Sequence, residues 1–395
     1  MNYNRTIFSC FTGYIVQAII NNFIPLLFIT LQGSYGIPLS RITMLITVNF
    51  GIQLAVDLLS AFFVDRIGYR ASVAAAHACA AVGLILLPIL PEIMPPFSGI
   101  LIAVALYAVG GGLIEVLISP IMESCPTDNK EKAMSMLHSF YCWGQVGVVL
   151  LSTLFFNVAG VENWKLLSLI WAVIPIVNGI LFLRAPIAPI ITEGERGMKF
   201  TELLRSGTFI LLLLMMMCAG AGELAVSQWA SFFAESGLHI SKTAGDLAGP
   251  MAFAALMGTS RWFYGKCGDR ISLDRFMVFS GLLCAASYLM ISIVSVPAVN
   301  LVGCGICGFS VGIMWPGTFS KAAASLKKGG TVMFSLLALA GDVGCSCGPA
   351  LVGAVTDGTG SMKKGILAAG AFPVLMVVGV LLLKKLKNSS AIDKS

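Results

Sequence analysis

Val64-Asp65-Arg66-Ile67-Gly68-Tyr69-Arg70 is a short charged stretch between two long apolar ones. Residues 40–64 before it hold only Arg41 and Asp57 as charges, and residues 72–90 after it hold none. A partial copy, Gly265-Lys266-Cys267-Gly268-Asp269-Arg270, follows another apolar segment, its aspartate 204 positions after the first. A second echo links Gly144-Gln145-Val146-Gly147 to Gly341-Asp342-Val343-Gly344, 197 positions later. Two echoes at nearly one offset describe a chain built from two similar halves.

The composition says where such a chain lives. Of 395 residues 57% are hydrophobic and 11% charged, with mean hydropathy +0.90. Soluble domains carry roughly 25% charged residues, so this is an integral membrane protein. Apolar windows of the ~20 residues needed to cross a bilayer predict twelve spans, near 6–31, 40–64, 72–90, 97–122, 132–159, 164–184, 208–236, 242–265, 273–296, 298–322, 331–357 and 363–386. Little chain remains for a soluble domain.

Lys and Arg favour cytoplasmic loops. With the N-terminus inside, the loops holding Arg66, Arg70, Lys130, Lys132, Arg184, Lys199, Arg270, Lys327, Lys328 and Lys384 are cytoplasmic. The other side holds Arg41, Lys165, Lys242, Lys363 and Lys364. Both termini are therefore expected in the cytoplasm, and Arg261 is read as lying near the inner end of span eight. The net charge of +6 needs no nucleic acid to explain it. Residues 6–31, with Gln17, Asn21 and Asn22, are too long and polar for a cleaved signal peptide and read as span one. None of the 11 cysteines falls in an outer loop, so disulfides are not expected. Cys304-x-x-Cys307 and Cys345-x-Cys347 lack His or acidic neighbours, so no metal or other cofactor is expected. Compact loops suit a bacterial inner membrane.

Residues 185–207 form the longest break and divide the chain into 1–184 and 208–395, six spans each. Internal repeats of this kind are typical of secondary transporters. The Asp65–Arg70 loop, with its D-R-x-G-x-R core, resembles the signature loop of the major facilitator superfamily. Ala61 departs from the glycine usual four residues before the aspartate, and the copy at Asp269-Arg270 is partial. The resemblance implies an all-α membrane protein of twelve helices in two pseudo-symmetric six-helix bundles, rocking about a central site. Spans one, four, seven and ten would line that site, spans two, five, eight and eleven the bundle interface, and the rest would face lipid. It further implies that Asp65, Arg66 and Arg70 clamp the inner ends of the bundles. Glu123 is the expected partner of Arg70, with Asp269 and Arg270 as the second copy of the gate.

Polar residues within apolar spans are the leads to function. A charge in the hydrocarbon costs roughly 2.5–3.5 kcal/mol on insertion scales, yet Glu115, Glu223 and Asp342 sit in spans four, seven and eleven. Glu223 is about 15 residues into its span, near mid-bilayer at ~1.5 Å per residue. It can carry a proton between faces or be a protonated packing residue. Glu115 follows the run Gly110-Gly111-Gly112 and is its expected proton or substrate partner. Asp342, matched to Gln145 by the repeat, is either a gate contact or a static bond, and Asp57 is assigned to the inner gate. Residues three or four apart share a helix face, and polar stripes follow: Asn49, Gln53, Asp57 and Ser60; Tyr107, Gly111, Glu115 and Ser119; His138, Tyr141 and Gln145. His138 and His77 read as core residues before they read as titrating ones.

The solute-contacting candidates are Gln17, Asn21, Asn22, Asn49, Gln53, Tyr141, Gln145, Gln228, Trp229 and Trp315. Gly222-Glu223 with Trp229 is similar to span seven of the fucose-permease-like sugar:proton symporters. With no Lys or Arg read at mid-span, an anionic solute would meet carboxylates alone. Amides and aromatics suit sugars, so proton-coupled import of a small neutral solute is the first expectation. Efflux of hydrophobic or cationic compounds is the second, although span five lacks the G-P-x-x-G-G run of drug antiporters. A non-transporting sensor is a third. No nucleophile–base pair points to an enzyme. The expected partners are the solute, protons and the bilayer, with the chain acting as a monomer.

Overall fold

The computed structural model describes residues 3–190 and 197–392; positions 191–196 of the expected linker and the last three residues lie outside the described residues. Among the described residues all regular structure is helical. Span one runs Asn4–Asn22, a 3-10 turn at Ile24–Leu27, then Phe28–Tyr35. Spans two to six are Leu39–Ile67, Tyr69–Leu86, Pro96–Ser124, Lys130–Ala159 and Trp164–Arg184. Span seven is Gly207–Ser227 followed by Ala230–Leu238, span eight Lys242–Cys267, and span nine Leu273–Ile293. Span ten is Pro297–Val311 then Met314–Ser325, span eleven Gly330–Thr359, and span twelve Met362–Ala369 then Ala371–Ile392. Eleven of these segments are long and apolar enough to cross a bilayer. Span eight is long enough at 26 residues, but Arg261, Lys266, Pro250 and its glycines lower its apolar content.

Backbone contacts gather the chain into two compact units, Met1–Pro126 with Phe140–Glu195, and Thr127–Ser139 with Arg196–Ser395. The first turns of span five therefore belong with the second unit. Within each unit, glycines let helices touch backbone to backbone, the packing device of membrane interiors. A Cβ on Gly110 of span four would sit 2.6 Å from the Ala76 carbonyl oxygen of span three. In the second unit Gly220 of span seven faces the Gly341 carbonyl of span eleven, and Gly344 and Gly348 face the Met217 and Ala221 backbone. In the first unit Gly144 of span five meets Ala18 and Ile15 of span one. Gly144 thus lets span five approach span one, and Gly344 with Gly348 lets span eleven approach span seven.

The loop after span two turns on Gly68, whose φ of 88° and ψ of 148° lie where side chains are not accommodated. That fixes why the charged stretch holds a glycine there. Span six turns Leu166, Ile170, Val173, Val177 and Ile180 outward, and span twelve Val374, Leu375, Val378 and Leu381, faces suited to lipid. Asn178 of span six points inward. Its amide donates to the Ser9 carbonyl at 3.0 Å and to His77 Nε2 at 2.8 Å, while His77 Nδ1 bonds the Val73 carbonyl. A carbonyl only accepts, so Nδ1 carries the proton. His77 is a satisfied core histidine.

Candidate functional site

In the first unit the site grows from the break in span one. Pro25 has no N–H to bond the carbonyl four residues back, that of Asn21, and the α-helix stops at Asn22. Asn21 is the hub of the amides around this break. Its Oδ1 accepts from Gln53 Nε2 at 2.8 Å and from Asn49 Nδ2 at 3.1 Å, and its Nδ2 donates to the Tyr141 hydroxyl at 3.3 Å. One turn away, Gln17 Nε2 donates to Glu115 Oε2 at 2.5 Å. Tyr14 and Ser119 share a hydroxyl bond at 2.9 Å. Gln17, Asn49 and Gln53 are buried, while Asn21, Glu115 and Tyr141 are half-buried. Gly111 admits this packing: a Cβ there would lie 3.2 Å from the Gln53 side chain. Spans one, two, four and five therefore present hydrogen-bonded polar groups on successive turns of span one, one of them holding the Glu115 carboxylate.

Not every expected residue joins it. Asn22 turns back to its own helix, donating to the Ala18 carbonyl at 2.9 Å. Gln145 is half-buried and makes no hydrogen bond among the described residues. Asp57 is fully buried one turn past Gln53 on the same stripe of span two.

In the second unit the carboxylate of Glu223 lies 3.7 Å from the guanidinium of Arg261. This corrects the expectation that the spans hold no cation at depth. Arg261 is 4% exposed, and it lies beside the very residue proposed to carry protons. Its Nε donates to the Gly312 carbonyl at 2.8 Å and its Nη1 to the His138 carbonyl at 3.1 Å; its own carbonyl accepts from Ser135 at 2.7 Å. Sequence reading missed Arg261 because an arginine near a helix end looks like a topology signal. A fainter sign was present in Pro316, which cannot bond the carbonyl of Gly312 and leaves it in need of a donor. Span ten breaks there, between Val311 and Met314. Lys321, also buried, pairs with Asp274.

Span seven breaks at Gln228-Trp229, the counterpart of the break in span one. Discontinuous helices at matching places in two halves mark transporter binding regions. Gln228 is exposed; the Trp229 indole nitrogen is buried without a hydrogen-bond partner among the described residues. Just before the break, the Tyr288 hydroxyl donates to the Gly222 carbonyl at 2.8 Å. Trp315 is buried edge-on to Phe319 at 6.4 Å, and Gly341 leaves room for its ring. Phe319 in turn stacks on Phe334 at 5.4 Å and lies 5.6 Å from the His138 ring. Trp315 is thus built into an aromatic wall. Asp342 is half-buried beside Gly341.

The charged loops are exposed. Arg70 donates to the Leu183 carbonyl at the end of span six; Asp65, Arg66 and Arg270 are exposed and Glu123 is half-buried. Asp269 accepts from Asn129 at 3.0 Å and pairs with Lys132, while Tyr264 donates to Glu131 at 3.0 Å. The second copy of the loop therefore holds the first turn of span five. The hydrogen bond from Lys132 holds the Asp269 carboxyl below the usual aspartate range.

Known proteins share this architecture. The fold matches a solved structure of FucP in an outward conformation, with TM-score 0.82 and 14% identity over 97% of this chain and 99% of that one. It also matches the E. coli fucose:proton symporter FucP at TM-score 0.80 and 15% identity, over the same shares. The proton:xylose symporter XylE, solved with 6-bromo-6-deoxy-D-glucose, matches at 0.76 and 12%, over 95% of this chain and 94% of its own. At such identities the likeness is one of fold. Among curated proteins no sequence matches the chain. The family model for the Major Facilitator Superfamily matches residues 7–349, so the protein belongs to that superfamily of membrane transporters.

Proposed function

We propose that the protein imports a small neutral polar solute, such as a sugar, together with protons. It is a multi-pass membrane transporter, not an enzyme. In this reading residues 1–184 and 208–395 are two bundles joined by the 185–207 linker. They alternate access about a central site in a bacterial inner membrane, as a monomer with both termini cytoplasmic. The observation that carries the reading is the network of Asn21 with Asn49, Gln53 and Tyr141, one turn of span one from the Gln17–Glu115 pair. Amides offer donors and acceptors together, so hydroxyls of a neutral solute can exchange into the network at little cost in unmade bonds. Sugar:proton symporters among the fold neighbours support the same choice.

Glu223 and Glu115 carry the protons, Gln145 on span five with Gln228 and Trp229 on span seven contribute further solute-facing surface, and Trp315, buried against Phe319, is a weaker candidate. Asn22 is a weaker candidate because its amide is spent on its own helix. Asp57, Asp65, Arg66, Arg70, Glu123, Asp269, Arg270 and Asp342 act in gating. Export of lipophilic cations is disfavoured because Glu223 already faces Arg261 and Glu115 already accepts from Gln17. The test is uptake of a labelled sugar panel into proteoliposomes, with and without an imposed pH gradient. Gradient-driven accumulation that vanishes in Glu223→Gln supports the proposal; equal uptake under both conditions leaves a uniporter.

A further inference from the structure

We propose that Arg261 is a positioning residue with two tasks: it closes the carbonyl that Pro316 leaves open in span ten, and it is the counter-charge of Glu223. The first task follows from backbone chemistry. In a continuous helix the N–H of residue 316 would bond the Gly312 carbonyl; proline has none, and a buried carbonyl left without a donor loses its hydrogen bond to water with nothing in return. Arg261 Nε fills that place at 2.8 Å. One residue on, the helix is regular again, with the Gly317 N–H bonding the Ile313 carbonyl at 2.8 Å.

The second task follows from geometry. Arg261 Nη2 is 3.7 Å from Glu223 Oε2 while Nη1 is occupied by the His138 carbonyl. A guanidinium spreads its donors over three nitrogens in a planar fork and so reaches three separated acceptors at once, where an ammonium holds its three donors on one atom. One side chain from span eight therefore joins span seven, the bend of span ten and the first turns of span five. Placing a proton on Glu223 removes the attraction on one arm of the fork and leaves the two carbonyls holding the others. The charge on Glu223 is in this way tied to the bend of span ten. That last step rests on Glu223 being the proton carrier; the two tasks do not.

The experiment is a set of melting temperatures on the full-length protein purified in detergent. Arg261→Gln lowers the melting temperature by several degrees. Adding Pro316→Ala, which returns an N–H to the Gly312 carbonyl, recovers a large part of that loss. In the Pro316→Ala background Arg261→Lys is more stable than Arg261→Gln, because the charge beside Glu223 is kept. That advantage disappears once Glu223→Gln is added. If Arg261→Gln alone does not fold, the Pro316→Ala pairs carry the comparison. No recovery from Pro316→Ala overturns the capping task, and equal stability of the Lys and Gln variants beside an intact Glu223 overturns the counter-charge. None of these readings uses solute or a proton gradient. Uptake that ignores the gradient would therefore sink the coupling proposal and leave this one standing.

Discussion

Gln17 donates its side-chain amide to the carboxylate of Glu115 across spans one and four, at 2.5 Å. The pair orients Glu115 from the helix that breaks at Pro25. Hydrogen bonds to charged groups are worth about 1.5–3 kcal/mol, equivalent to about a tenfold to hundredfold change in an equilibrium. Gln17→Ala should therefore weaken solute binding by about tenfold or more. Gln17→Glu, placing two carboxylates together, should be worse. Solute-induced thermal stabilisation across the sugar panel reads both, and an unchanged shift in Gln17→Ala would remove this pair from the site.

Much of the fold was legible because its signals are local. Apolar runs set the spans, the Asp65 and Asp269 loops set the repeat, and the polar stripes of spans two, four and five fall on faces that the fold buries or half-buries. What stayed hidden depends on distant partners. Nothing near Arg261 in sequence announces the Gly312 carbonyl or Glu223, since those meet it only when spans seven, eight and ten pack. Likewise the family resemblance puts Trp315 on a site-lining span, but only Gly341 opposite shows its ring buried in packing.

The echoed glycines are not equivalent. Gly344 lies against the Met217 backbone, whereas nothing stands within 4 Å of a Cβ built on Gly147. Gly344→Ala must push spans seven and eleven apart and should lower the melting temperature sharply, by an overpacking cost of about 1–3 kcal/mol. Gly147→Ala should be neutral or stabilising, since alanine gains about 1 kcal/mol over glycine in a helix. Equal losses at both positions would contradict the packing described.

Asp269, which pairs with Lys132 and accepts from Asn129, should make stability depend on pH in the acid range. Its folded-state pKa is depressed by the Lys132 hydrogen bond. The stabilisation is therefore present above the unfolded aspartate value, about 3.9, and is lost as pH falls through the lower folded value. Asp269→Asn should melt below the parent protein at neutral pH, with the two curves converging as the medium becomes strongly acidic. The gap should shrink in high salt because the pair is exposed. A gap that persists at low pH would assign the loss to something other than the ionised carboxylate.

Asn21 and Asn22 are adjacent amides in one apolar span, and the chain alone gives no reason to rank them. The helix does. Asn21 accepts from Asn49 and Gln53 and donates to Tyr141, so Asn21→Ala strands two donors and a phenol at once. Asn22 bonds only the Ala18 carbonyl of its own helix, a bond that water or the backbone can replace. Asn21→Ala should abolish solute-induced stabilisation and lower the melting temperature of the unliganded protein. Asn22→Ala should leave the unliganded melting temperature nearly unchanged. Asn21→Asp is the sharper probe, since it keeps the two accepted bonds and replaces the donor to Tyr141 with a second acceptor. If it retains stability but loses solute binding, the Tyr141 side of the network meets the solute; if it loses neither, Asn21 holds the spans together and the solute lies elsewhere.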